Sequence, residues 1–162
     1  PVSIMLSGSA GEGVQLAAEF LARAAMLSGL YATKKGSYPV TVGVGYSAAE
    51  VIISHEPILY TGSPVPDILA ITSADGLGYA RTAAGRMKGG TIYIDQSLDI
   101  PQTGAETVVI PFREKVGAQN SSLYSVFYMV GSQHFFPMEA LRDIFMANKI
   151  SQRVSVDIFM QL

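Results

Sequence analysis

Cysteine and tryptophan are absent from the 162-residue chain. Without cysteine there is no disulfide, no thiolate nucleophile and no cysteine-ligated iron–sulfur cluster held by this chain alone. Histidine occurs only at His55 and His134. A metal site wants three or four convergent donors, and two histidines so far apart in sequence do not make one. Charge is scarce as well, at 15% of residues against roughly 25% in ordinary globular chains. Eleven Lys and Arg against thirteen Asp and Glu leave a net charge of −2 with no basic tract, so nucleic acid is not an expected partner. The longest uncharged stretch, 116–138, is broken by Ser121, Ser122, Ser125, Ser132 and Gln133, and its oiliest part is too short to span a bilayer. No positively charged leader precedes an apolar run, so no signal peptide is expected. With the lack of cysteine, this points to the cytoplasm.

Apolar residues, by contrast, make up 49% of the chain, and mean hydropathy is +0.31. At 17.2 kDa the expectation is one domain spanning residues 1–162. So much apolar surface with so few charges implies a face covered by a partner, because monomers rarely expose large apolar patches. The stretch 116–138 and the glycine-bearing loop 38–46 are the expected contact surface, and a homodimer is expected in isolation.

Short apolar runs alternate with helical spacing. "VSIML" (2–6) reads as a buried strand, and further strands are predicted at 30–35, 47–54, 66–73, 90–97 and 106–112. Val14, Ala17, Ala18, Leu21, Ala24 and Ala25 recur at helical spacing, with Gly29 as the stop. Ser73 can cap a helix running to about Met87, a third helix is predicted over 121–135, and a fourth starts at Pro137 and runs to about Asn148. The tail "SQRVSVDIFMQL" has no cap and reads as an edge strand or an incomplete element. The resulting fold class is α/β: a three-layer α/β/α sandwich with a mostly parallel sheet. Helices are missing between the second, third and fourth strands, so that section is expected to be antiparallel or a hairpin.

The first strand runs into "SGSAGEG", with Gly8, Gly11 and Gly13 immediately before the alanine-rich helix. Such a turn leaves unpaired N–H groups and the positive end of the helix dipole facing one point, and glycine lets a phosphate approach the main chain. The same loop can equally be a bare tight turn, and it departs from a dinucleotide fingerprint because Ala10 replaces the second glycine. Glu12 is a poor neighbour for a phosphate. The acidic residue that would hold a ribose is missing after the second strand, where Lys34 and Lys35 stand instead. The lysines are either a solvated strand end or phosphate contacts at the same end of the sheet as Gly8, Ser9, Gly11 and Gly13.

Taken together these pieces resemble the gamma subunit of 2-oxoacid:ferredoxin oxidoreductases, over nearly the whole chain to about Asn148. The family's opening loop is like G-x-G-G-Q-G; Gly8, Gly11 and Gly13 fit it, while Ala10 and Glu12 stand for Gly and Gln. The alanine-rich helix ends in a "GLY"-like turn at Gly29, Leu30 and Tyr31. Ser37, Tyr38, Gly45, Ser54, Glu56, Pro57 and Ile58 fit a segment resembling S-Y-G-P-E-x-R-G-G followed by a strand ending S-x-E-P-I. Gly43 and Val44 replace that segment's Arg-Gly pair. "PDILAITS", "GGTIYIDQS" and "VVIPF" follow in the family's order, as does Gly131 in a late helix, without the asparagine usual before it.

The resemblance implies a non-catalytic subunit of a complex that oxidatively decarboxylates pyruvate, 2-oxoglutarate or a branched-chain 2-oxoacid to acyl-CoA. Thiamine diphosphate, Mg and the iron–sulfur clusters are then on the alpha, beta and ferredoxin-like delta subunits, with ferredoxin or another electron acceptor reached through them. The gamma domain packs on the thiamine-bearing core and helps accommodate coenzyme A, its glycine loop and Lys34 and Lys35 facing the CoA phosphates. The competing reading is a stand-alone CoA- or nucleotide-binding module without redox chemistry. A hydrolase is not expected, since Ser7 and Ser9 have no base in sight and "SGSAG" lacks the nucleophile-elbow order. His55 reads as a surface residue and His134 as an interface or core residue. Asp67 and Asp95 read as partners of backbone N–H groups, and Tyr124, Phe127, Tyr128, Phe135 and Phe136 as core or interface.

Overall fold

A computed structural model describes residues 1–39, 44–59 and 65–160. Six strands, β1 (Val2–Ser9), β2 (Tyr31–Ser37), β3 (Tyr46–Ser54), β4 (Ile68–Ile71), β5 (Thr91–Asp95) and β6 (Glu106–Ile110), form one sheet in the order β2-β3-β1-β4-β5-β6. The pairs β1–β4, β4–β5 and β5–β6 are parallel, whereas β3 is antiparallel to both β1 and β2. Only β3 therefore runs against the rest. The antiparallel pairing of β2 with β3 forms as expected, with no helix among the described residues between them, whereas β4 lies on the far side of β1 and pairs with it in parallel.

Among the described residues, six helices cover the sheet: α1 (Val14–Leu27), α2 (Ala74–Arg86), α3 (Phe112–Val116), α4 (Ser121–Gln133), α5 (Met138–Met146) and α6 (Asp157–Met160). Strand residues alternate between the two faces. Ile4 and Leu6 of β1 with Val51 and Ile53 of β3 join the large core beneath α1, α4, α5 and α6. Leu69, Ile71, Ile92 and Ile94 form a smaller core with Leu77, Ala80 and Ala84 of α2. The architecture is the three-layer α/β/α sandwich, with α2, among the described residues, the one long helix of its face.

Local signals act where they were read. Ser73 Oγ accepts from Gly76 N at 3.0 Å and caps α2, and Gly29 ends α1 with φ +86°. Asp67 accepts from Ser3 N, and Asp95 from Ser97 N and Arg113 N.

Three expectations are corrected. Pro137 is extended (φ −61°, ψ 136°) and precedes the first helical residue of α5. The described residues of the tail form no edge strand: they carry the short helix α6, and Val156 and Phe159 are drawn into the large core. The stretch 116–138 is for the most part not a contact surface: Leu123, Tyr124, Val126, Phe127, Met129 and Val130 are all buried in this chain's own core. There Phe127 stacks on Phe159 at 5.2 Å and meets Phe145 edge-on at 6.1 Å. Of the second expected contact segment, 40–43 lies outside the described residues, while Tyr38 and Val44 beside it are exposed.

Candidate functional site

The C-terminal ends of β1, β4 and β5 form a crest where the connections diverge. The chain leaves β1 for α1 on one face and leaves β4 for α2 on the other, so the β1/β4 boundary is the topological switch point where open α/β sheets bind ligands. The glycine loop sits there. Gly8 faces the α1/α4 layer, and a β-carbon on it would stand 2.6 Å from Thr72 Oγ1 and 2.9 Å from Val14 Cγ2. Its smallness is spent on packing. Gly11, at φ +81°, has nothing within 4 Å of where a β-carbon would sit, and so borders open space. Gly13 (φ 76°) is the N-cap of α1 and brings no side-chain bond to the helix start.

Ser9 points to the opposite face, with its Oγ 2.7 Å from Ser73 Oγ and 2.9 Å from Asp75 Oδ2. This hydroxyl ties the glycine loop to the first turn of α2. Ser7 Oγ donates to Gly76 O at 2.8 Å and closes the same seam.

Glu12 has a partner that the sequence reading missed. Arg113, at the start of α3, grips it with both ends of the guanidinium: Nη1 to Oε1 at 2.7 Å and Nη2 to Oε2 at 3.1 Å. Nη1 also donates to Thr72 O at 3.1 Å, and Arg113 N donates to Asp95 Oδ1 at 2.9 Å. The hydrogen bond to Glu12 raises the Arg113 pKa above its ordinary value, helped by the nearby charges of Glu12 and Asp95 and opposed by burial. One residue therefore links the C-terminal ends of β1, β4, β5 and β6. The available signal was "PFREKV", a cation directly after the last strand of a parallel set, where ligand-side groups collect.

Lys34 and Lys35 are not brought together at this loop. In β2 they pair with Val51 and Glu50, which in turn stand beside Ile4 and Met5 of β1. Both lysines thus lie two strands from β1 and level with its middle. Being neighbours in a strand, they point to opposite faces. Lys35 lines a pocket of about 200 Å³ on the α2 face with Ser37, Glu50 and Tyr79, while Lys34 is on the α1 face. His55 is exposed, as read; His134 is exposed too and closes α4 with φ 57°, so it is not a core residue.

Against known proteins, the model of the pyruvate ferredoxin/flavodoxin oxidoreductase family matches residues 3–149. The chain belongs to this family. A 2-oxoglutarate synthase subunit, KorC, from Methanothermobacter marburgensis is 40% identical over 99 residues, covering 60% of this chain and 52% of that protein. The subunit of the same name from Methanocaldococcus jannaschii is 34% identical over 114 residues, covering 67% of this chain and 60% of its own. The chain thus spans about half the length of these curated relatives.

The fold of this family member is shared with solved structures. The gamma subunit of the keto/oxoacid ferredoxin oxidoreductase from Geobacter sulfurreducens superposes with a TM-score of 0.80 at 20% identity, over 99% of this chain and 95% of that one. The 2-oxoglutarate:ferredoxin oxidoreductase from Magnetococcus marinus, solved with 2-oxoglutarate, coenzyme A and succinyl-CoA bound, superposes with a TM-score of 0.82 at 16% identity. That match covers 99% of this chain and 29% of the other. Among the described residues of this family member, no helix is long and apolar enough to cross a membrane.

Proposed function

We propose that this chain is the gamma subunit of a 2-oxoacid:ferredoxin oxidoreductase complex that oxidatively decarboxylates 2-oxoglutarate to its acyl-CoA. Its glycine loop helps to accommodate coenzyme A. The choice of 2-oxoglutarate over pyruvate follows the name of the relatives, and coenzyme A follows the ligands of the Magnetococcus marinus structure. The observation that carries the site is the loop itself: at the switch point, Gly11 borders open space and Gly13 leaves the start of α1 without a side-chain cap. Those N–H groups suit a phosphate oxygen. Gly8 and Ser9 frame the loop by packing on Thr72 and by bonding to α2.

Coenzyme A supplies the thiol that accepts the acyl group; this chain's residues bind and orient its anionic end. Thiamine diphosphate, Mg and the iron–sulfur clusters belong to the alpha, beta and delta partners, which pass electrons to ferredoxin or another acceptor. Lys34 and Lys35, exposed on opposite faces, contribute long-range positive potential rather than a joint clamp. The place of action is the cytoplasm.

Affinity purification of the tagged chain from its source cell tests this reading. Thiamine-bearing and iron–sulfur partners should co-purify, and the complex should reduce an acceptor dye with 2-oxoglutarate and coenzyme A. In that complex Gly11→Val should raise the KM for coenzyme A and leave CoA-independent decarboxylation largely intact. A chain that purifies alone and binds coenzyme A by itself is the stand-alone module instead.

A further inference from the structure

We propose that Arg113 is an anion-receiving group of the crest and that Glu12 is its resident placeholder. A phosphate group arriving at the glycine loop takes the position of the Glu12 carboxylate on the guanidinium. This deepens the coenzyme A reading above and rests on it for the natural ligand, but not for the exchange itself.

Four observations carry it. The Glu12–Arg113 contact is bidentate, and the guanidinium fork matches a phosphate as well as a carboxylate. The Arg113 main-chain N–H is fixed by Asp95, and Nη1 also donates to Thr72 O, so one arm of the fork stays anchored when Glu12 leaves. Its side chain remains 32% exposed, so a ligand from solvent can reach it. Finally, Glu12 stands between two glycines at positive φ, Gly11 at +81° and Gly13 at +76°, with open space beside Gly11. That backbone can rotate without the steric cost a β-carbon would impose.

The placeholder also selects its competitor. Glu12 is tethered, so its effective concentration at the guanidinium is in the millimolar range or above. A free monocarboxylate carries the same charge and gains nothing over it. A phosphate dianion carries more charge and a third oxygen, which can also take the N–H groups of the loop. Expelling Glu12 leaves its carboxylate free to turn into solvent.

The exchange predicts opposite effects from the two partners, whereas a purely structural ion pair predicts effects of the same sign. Binding of inorganic phosphate to the full chain is measured by NMR titration at constant ionic strength, with acetate as the control anion. Glu12→Gln removes the competitor and should tighten phosphate binding about fivefold, the ratio expected for one partly exposed ion pair. Arg113→Gln should weaken it at least tenfold, and Arg113→Lys should recover part of the loss. In the wild type, phosphate should shift the Arg113 Nε–H resonance, and acetate at the same concentration should not. The wild-type measurement keeps the test valid where a variant fails to fold. The proposal is overturned if Glu12→Gln weakens phosphate binding or leaves it unchanged, if the Arg113 resonance ignores phosphate, or if acetate shifts it equally. Should these outcomes hold while the coenzyme A KM of the complex ignores Gly11, the exchange stands and the coenzyme A reading fails.

Discussion

Gly76 lies backbone to backbone against Ser7: a β-carbon on Gly76 would stand 2.3 Å from the Ser7 carbonyl oxygen and 2.7 Å from Gly8 N. Helix α2 is seated on the end of β1 at a distance that only glycine permits, and the Ser7 hydroxyl bonds to Gly76 O across the same contact.

Gly76→Ala should therefore destabilise the fold, although alanine is the better helix former. The clash is with main chain, which cannot move aside as a side chain could, so a loss of about 2–3 kcal/mol is expected. Urea unfolding followed by circular dichroism measures it; an unchanged midpoint would show that α2 can slide.

Ser73→Ala removes the cap of α2 and one partner of Ser9 together. The expected loss is about 1–2 kcal/mol, the upper part of the N-cap range. Ser73→Asp, which keeps the cap acceptor but sets a second carboxylate near Asp75, should recover only part of it. Thermal unfolding of the three proteins decides.

Phe159 is buried against Phe127 and Phe145, with ring centroids 5.2 and 5.5 Å away. Phe159→Ala should cost about 3–4 kcal/mol, and Met160→Ala, at a half-exposed neighbour, much less. If truncating Phe159 leaves the unfolding midpoint in place, the tail is not part of the core.

Lys34 and Lys35 face opposite sides of β2, so their effects should add rather than couple. In the assembled complex, Lys34→Ala and Lys35→Ala should each raise the KM for coenzyme A by less than about threefold, as expected for screened, exposed charges. The double variant should give the product of the two. A double variant far worse than that product would mean that both lysines reach one phosphate.

The Arg113 pKa is raised in the folded state. A raised pKa contributes stability that is fully present below the unfolded value and is lost only as pH rises through the folded one. For a guanidinium both lie far to the alkaline side of neutrality. The destabilisation caused by Arg113→Gln, about 1 kcal/mol for a partly screened pair, should therefore be the same at pH 7, 8 and 9 in urea unfolding. A loss that shrinks across this window would show that another group governs the pair.

What the sequence determined by itself was local. The period of the strands, the helical spacing of Val14 to Ala25, the Ser73 cap and the left-handed glycines each depend on neighbours a few residues away. The order of the family's motifs was legible for the same reason, since it is a property of the chain. Tertiary structure decided whatever depends on which strands pair. β3 inserts between β1 and β2, which moves Lys34 and Lys35 two strands from the glycine loop, and strand alternation turns them to opposite faces. The uncharged stretch 116–138 has the same composition whether it covers a partner or fills its own core; only the packing of α4 under Phe145 and Phe159 distinguishes the two. The sequence shows Glu12 as a lone charge, whereas in the fold it is paired with Arg113. Arg113 is 101 residues away in sequence, and a charge's effect is set by distance in space, which no local pattern encodes.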